Sequence, residues 1–165
     1  MSMAPRVEAH LLKVGVQFDL LEHPYSRSSM ETAHTAHILP GQVAKAVIIH
    51  DGDNYRMCVI PADHRLMLDW LDKALNGHYR LATEVEIRRL FDDCELGAVP
   101  ALGQVYGMPV TWDSALEGLQ EVYLESGDHR NLIHLDHGAF LQLMGLQQHL
   151  TISCQEEDLA SWMIH

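Results

Sequence analysis

The chain has 165 residues and a mass of 18.6 kDa, with 47% hydrophobic residues and a formal charge of −12 from 23 acidic and 11 basic side chains. That length suits one domain burying roughly 70% of its unfolded surface. The acidic balance excludes a broad basic face for duplex nucleic acid, so any such contact has to be local, and no apolar stretch approaches the roughly 20 residues that span a bilayer.

The first residues, Met-Ser-Met-Ala-Pro-Arg, lack the apolar core of a signal peptide. Cys58, Cys94 and Cys154 are an odd number at wide spacing, as expected for free thiols of a reducing, cytoplasmic compartment. Beyond Pro5, the apolar stripe Val7, Leu11, Leu12 and Val14 predicts a helix that Gly15 ends, and residues 17–22 alternate as a strand stopped by His23-Pro24. Ser28-Ser29-Met30-Glu31 reads as the capping box of a helix reaching about residue 37, broken by Pro40-Gly41. Next come a strand through Lys45, a tight turn at Asp51-Gly52-Asp53 and a second strand over 55–61, together an antiparallel hairpin. A helix over about 64–75 closing at Asn76-Gly77, a short strand over 78–81 and a helix opened by Thr83-Glu84-Val85-Glu86 follow. Past a Gly- and Pro-punctuated loop, 97–103, strands are expected at 108–112, 121–125 and 131–135, with Asp136 capping a helix through Met144. Residues 151–165 carry the acidic Glu156-Glu157-Asp158 and the apolar Trp162, Met163 and Ile164, and read as a tail or a short docking helix. This order predicts a mixed α/β domain whose sheet contains a hairpin.

One side chain stands out along this path. In Val43-Ala44-Lys45-Ala46-Val47-Ile48-Ile49 a period of two puts Lys45 on the face of Val43, Val47 and Ile49, where an ammonium costs several kcal/mol unless a partner or a wet pocket receives it. Two readings stay open, a functional lysine and a lysine whose stem lies along apolar surface with its head in solvent.

Glu22-His23-Pro24, the Lys45 run, Val59-Ile60-Pro61-Ala62-Asp63, Leu81-Ala82, Gly97-Ala98-Val99-Pro100 and Ser126-Gly127-Asp128-His129 occur in an order that resembles the YbaK/EbsC family. That family is related to the insertion domain of prolyl-tRNA synthetase, and the resemblance covers roughly residues 9–144. It implies a YbaK-type domain over 1–150, with a mixed, mainly antiparallel sheet and surrounding helices. It also implies a trans-editing deacylase that cuts a misattached small amino acid (alanine, cysteine or serine) from the 3′ end of tRNA without a cofactor. A synthetase partner fits the same resemblance. Lys45 matches the family's signature lysine, and Gly97, Ala98, Val99 and Gly103 match its glycine-rich loop, with Pro100 beside Ala101 where the loop most often has proline. His129 is carried over as a pocket residue, and Tyr25 and Arg27, just after His-Pro, are expected near the pocket mouth.

Ester hydrolysis suits such residues, because a glycine loop brings backbone N–H groups to a carbonyl and a lysine can position a phosphate or assist a proton. No Gly-x-Ser-x-Gly elbow is present. Of the twelve histidines, His129, His134 and His137 are the tightest late cluster and His34 with His37 an i, i+3 pair, but their spacing does not imply a shared metal. Cys94, close to the loop, is expected as a buried thiol rather than a nucleophile. The alternative function is a non-catalytic module binding aminoacyl-tRNA or a small metabolite on the same fold.

Overall fold

The computed structural model describes residues 3–159, so Trp162, Met163 and Ile164 lie outside the described residues. In chain order the elements are α1 (Pro5–Val14), β1 (Asp19–Glu22), α2 (Ser29–Thr35), β2 (Val43–Asp51), β3 (Asn54–Pro61), β4 (His64–Leu66), α3 (Leu68–Leu75), β5 (Arg80–Leu81) and α4 (Glu84–Leu90). After a 3-10 turn at Gly103–Tyr106 come β6 (Val110–Asp113), β7 (Glu121–Glu125), β8 (Asn131–Asp136), α5 (His137–Met144), β9 (Gln148–Leu150) and β10 (Ser153–Gln155), then a 3-10 turn at Glu156–Asp158.

Local chemistry sets most boundaries. Gly15, at φ 79°, closes α1 by returning its N–H to Leu11 O. Ser28 caps α2 by accepting from Glu31 N (3.1 Å), Thr83 and Glu86 complete a reciprocal capping box at α4, and Asp136 Oδ1 accepts from Ala139 N at α5. The β2–β3 register pairs Asp51 with Asn54 across Gly52-Asp53. One expectation fails: the helix expected over 64–75 begins only at Leu68, and His64–Leu66 form a strand. The reason is non-local, since these residues pair antiparallel with Ser153–Gln155 in a separate two-stranded sheet.

The main sheet runs β1-β8-β7-β2-β3-β6-β9, with β5 also on β2. It is antiparallel at β1–β8, β8–β7, β2–β3 and β2–β5 and parallel at β7–β2, β3–β6 and β6–β9, the mixed α/β arrangement that was expected. One face packs Ala44, Ile48, Met57, Val59 and Leu124 with Val7 and Leu11 of α1 and Phe140 of α5; the other packs Ile49, Cys58 and Ile60 with Leu71 of α3 and Ile152.

A gap in this sheet positions the site. On the edge away from β3, β2 meets β7 only at Val43 and Ala44, and β5 only at Ile49 and His50. Between those pairings no strand among the described residues lies on that side of Lys45, Ala46 and Val47, and the sheet opens into a cleft.

Candidate functional site

The cleft holds a cavity of about 230 Å³ lined by Ser29, Ala46, Ile48, Glu84, Ile87, Leu96, Gly97, Val99 and Glu125. β2 supplies Ala46 and Ile48, α4 supplies Glu84 and Ile87, and the glycine loop supplies Gly97 and Val99. Its lining contains two carboxyl groups and no lysine or arginine.

Glu125, the last residue of β7, is only 2% exposed. Its Oε1 accepts from Thr32 Oγ1 (3.2 Å), which in turn contacts Ser26 Oγ (2.5 Å), so α2 and the segment before it hold this carboxyl by a buried hydroxyl relay. Oε2 has no hydrogen-bond partner among the described residues. Burial pushes the pKa up to about 7, with the nearby Asp128 adding to the rise and the Thr32 bond opposing it. Sequence reasoning passed over Glu125, because the end residue of an alternating strand reads as solvent-facing.

The chain reverses beyond Glu125 through Gly127, at φ 113°. Asp128 locks this turn by accepting from Ser126 Oγ (3.0 Å), Arg130 N (2.9 Å), Asn131 N (2.9 Å) and Asn131 Nδ2 (2.7 Å). Burial raises the Asp128 pKa, but these donors outweigh it and hold the carboxyl below its usual range. His129 sits in the left-handed region at φ 60°, and its Nε2 donates to Leu96 O (2.5 Å), tying the turn to the glycine loop. Gly97 is required there twice over. It has φ 86°, and a Cβ would come within 3.2 Å of His129 Cε1 and 3.3 Å of Arg27 O.

The structure therefore gathers Gly97, His129, Arg27 and Tyr25. The Tyr25 ring lies 5.2 Å from the His129 ring, and the guanidinium of Arg130, which sequence reasoning did not single out, sits 5.5 Å from the centre of the Tyr25 ring. Within the loop only Gly97 and Val99 line the cavity, while Ala98, Pro100, Ala101 and Gly103 are buried behind it. A Cβ on Gly103 would meet Met57 and Val110 at 2.9 Å, so this glycine serves packing. Ala98 N–H is taken by Glu95 O (3.0 Å), whereas the Gly97 and Val99 N–H groups donate to no protein acceptor among the described residues.

Lys45 is placed apart from this cavity. It pairs across from Ile60, on the face of β2 opposite Ala46, and lines two adjoining hollows of about 340 and 410 Å³. The first includes Met30, Asp63, Glu156 and Glu157; the second includes His64, Arg65 and Glu156. Burial lowers its pKa, Glu156 and Asp63 resist that, and Arg65 reinforces it. Consecutive residues of α2 join the two regions, Ser29 lining the cavity and Met30 the first Lys45 hollow.

The late histidines have separate partners: His129 as above, His134 between Glu121 and Asp19, and His137 Nδ1 at Leu119 O (3.0 Å). Among the described residues no group of three or more His, Cys, Asp or Glu is placed to hold a metal ion. Cys94 contacts Tyr106 Oη (3.2 Å) and Asp93 Oδ1 (3.4 Å), and burial pushes its pKa up to about 12, the state of an unreactive thiol.

Comparison with known proteins adds to this geometry. The family model described as an aminoacyl-tRNA editing domain matches residues 23–143. A solved structure of a candidate trans-editing enzyme for prolyl tRNA synthetase is 26% identical, with 92% of this chain and 96% of that chain covered and a TM-score of 0.79. A hypothetical protein shares the fold at 22% identity, with 90% and 99% covered and a TM-score of 0.80. A candidate signal transduction protein from Marinobacter aquaeolei VT8 also shares it, at 20% identity and a TM-score of 0.73, with 93% of this chain but 31% of that one covered. No curated protein matches the sequence significantly.

Proposed function

The chain belongs to the aminoacyl-tRNA editing domain family, and from that premise we propose that it is a trans-editing hydrolase that removes a misattached small amino acid, of the alanine, cysteine or serine class, from tRNA. The observation that carries this reading is the 230 Å³ cavity, whose apolar lining of Ala46, Ile48, Ile87 and Val99 suits a small side chain. A methylene is worth only about 1–3 kcal/mol in such a site, so cavity size is the means of selection.

In this reading the ester carbonyl lies against the glycine loop, and the Gly97 and Val99 N–H groups donate to the oxyanion as it develops. Water forms the new C–O bond, the ester C–O bond breaks, and the ribose oxygen leaves with a proton. The terminal base rests on Tyr25, while Arg27 and Arg130 take phosphates at the mouth. Lys45 holds a phosphate rather than the carbonyl, because it lines the neighbouring hollow and not the cavity. A synthetase that hands over the tRNA fits the same scheme, and residues 1–150 form the editing unit.

The test is deacylation of alanyl-tRNAPro, cysteinyl-tRNAPro and seryl-tRNA by the wild type and Lys45→Ala. Rapid loss of one ester is expected, with kcat/KM reduced at least tenfold by the substitution, mostly through KM. Undiminished activity in a folded Lys45→Ala protein would overturn the role of Lys45. No acceleration across the panel would leave a non-catalytic binding module.

A further inference from the structure

We propose that Glu125 receives the free α-ammonium group of the substrate, so that the cavity accepts an aminoacyl ester with an unmodified amine and rejects its N-acylated counterpart. The inference rests on the deacylase reading and deepens it, since it names the chemical feature that the cavity reads besides side-chain size.

The two oxygens of Glu125 are unequally satisfied. A carboxyl group that is 2% exposed would normally have both oxygens hydrogen-bonded, yet Oε2 of Glu125 has no partner among the described residues. Its other oxygen is fixed by Thr32, and Thr32 by Ser26, so the group cannot swing away to solvent without breaking a buried relay. The side chain lines the cavity beside Gly97 and Val99, where the ester carbonyl is placed. The α-nitrogen of an aminoacyl ester is attached to the carbon next to that carbonyl, so a carbonyl on the loop brings the nitrogen toward the same wall.

The charge of the lining agrees. Glu84 and Glu125 line the cavity without a lysine or arginine to pair with them, and Asp128 adds negative field from behind. An ammonium compensates this arrangement, whereas a neutral amide adds bulk and leaves Oε2 unpaired. With its pKa pushed up to about 7 by burial, the Glu125 carboxyl is one that an incoming cation favours in ionised form. Amines bearing a formyl or acetyl group are thereby excluded by chemistry as well as by volume.

The probes are two stable amide mimics of the tRNA 3′ end, 3′-deoxy-3′-(L-alanylamino)adenosine and its N-acetyl form, titrated by calorimetry into the wild type, Glu125→Gln and Glu125→Asp. Gln keeps an acceptor for Thr32, and thermal melting checks that each variant is folded. At least tenfold tighter binding of the free amine is expected for the wild type, less than threefold for Glu125→Gln, and partial discrimination for Glu125→Asp. Equal binding of both mimics by the wild type, undiminished discrimination in Glu125→Gln, or binding of neither mimic would overturn the inference. Parallel assays on alanyl-tRNA separate the two claims. Discrimination without hydrolysis keeps the ammonium site and removes the deacylase; hydrolysis without discrimination does the reverse.

Discussion

Glu125 keeps its proton to a higher pH in the folded chain than in the unfolded one, because burial raises its pKa from 4.5 to about 7. Between those values the folded state binds more protons, so stability falls as pH rises from about 4.5 and the loss is complete above about 7. The effect is on the order of 3 kcal/mol. Glu125→Gln has no such titration, so its melting temperature should gain on the wild type from pH 5 to pH 8 by several degrees; parallel curves across that range would contradict the buried, proton-holding carboxyl. The same residue marks a limit of reading from sequence. Lys45 stands out as a charge inside an apolar run, a purely local signal, whereas Glu125 ends Glu121-Val122-Tyr123-Leu124 in ordinary alternation and is buried by α2 and the 126–129 turn, both distant or irregular. Sequence also could not show that Lys45 and the Gly97 loop line different spaces, since that follows from which face of β2 the loop crosses.

At the scale of elements, α4 contributes Glu84 and Ile87 to the cavity, and its position depends on the capping box of Thr83 and Glu86. Thr83 Oγ1 accepts from Glu86 N (3.3 Å), and Glu86 Oε1 accepts from Thr83 N (3.0 Å). Thr83→Ala should cost about 1 kcal/mol, a drop of roughly 2–4 °C in Tm for a chain of this size. It should also raise KM for the editing substrate more than it lowers kcat; a full stability loss with unchanged KM would show that α4 packs independently of its cap. Such caps, like the hairpin at Gly52-Asp53, were legible because their partners lie within four residues. β4, β9 and β10 were not. β4 and β10 pair with each other from segments far apart in the sequence, and β9 is a three-residue edge strand beside β6.

For the whole molecule, a net charge of −12 leaves the few cations around the site as the means of attracting RNA. The C-terminal segment, which lies beyond the 23–143 match, restrains one of them: Glu156 pairs with Arg65 (Nη2 to Oε1, 3.3 Å), while its charge supports the ionised form of Lys45. Glu156→Ala should free Arg65 for phosphate, tightening binding of a CCA-ended tRNA several-fold at low salt. The salt slope should steepen by about 0.7 for each added contact with single-stranded RNA. Fluorescence anisotropy across a salt series checks this, and unchanged affinity would mean that Arg65 does not meet the backbone.

The absence of lysine and arginine from the cavity lining bears on turnover. In the proposed reaction, hydrolysis converts an ester bearing an α-ammonium into a zwitterion by creating a carboxylate beside Glu84 and Glu125. The zwitterionic product thus loses the net attraction that held its cationic precursor. A free amino acid from solution is the same zwitterion and is held no better. On the deacylase reading, millimolar alanine should therefore leave deacylation rates unchanged, and inhibition at that concentration would contradict this balance of charge.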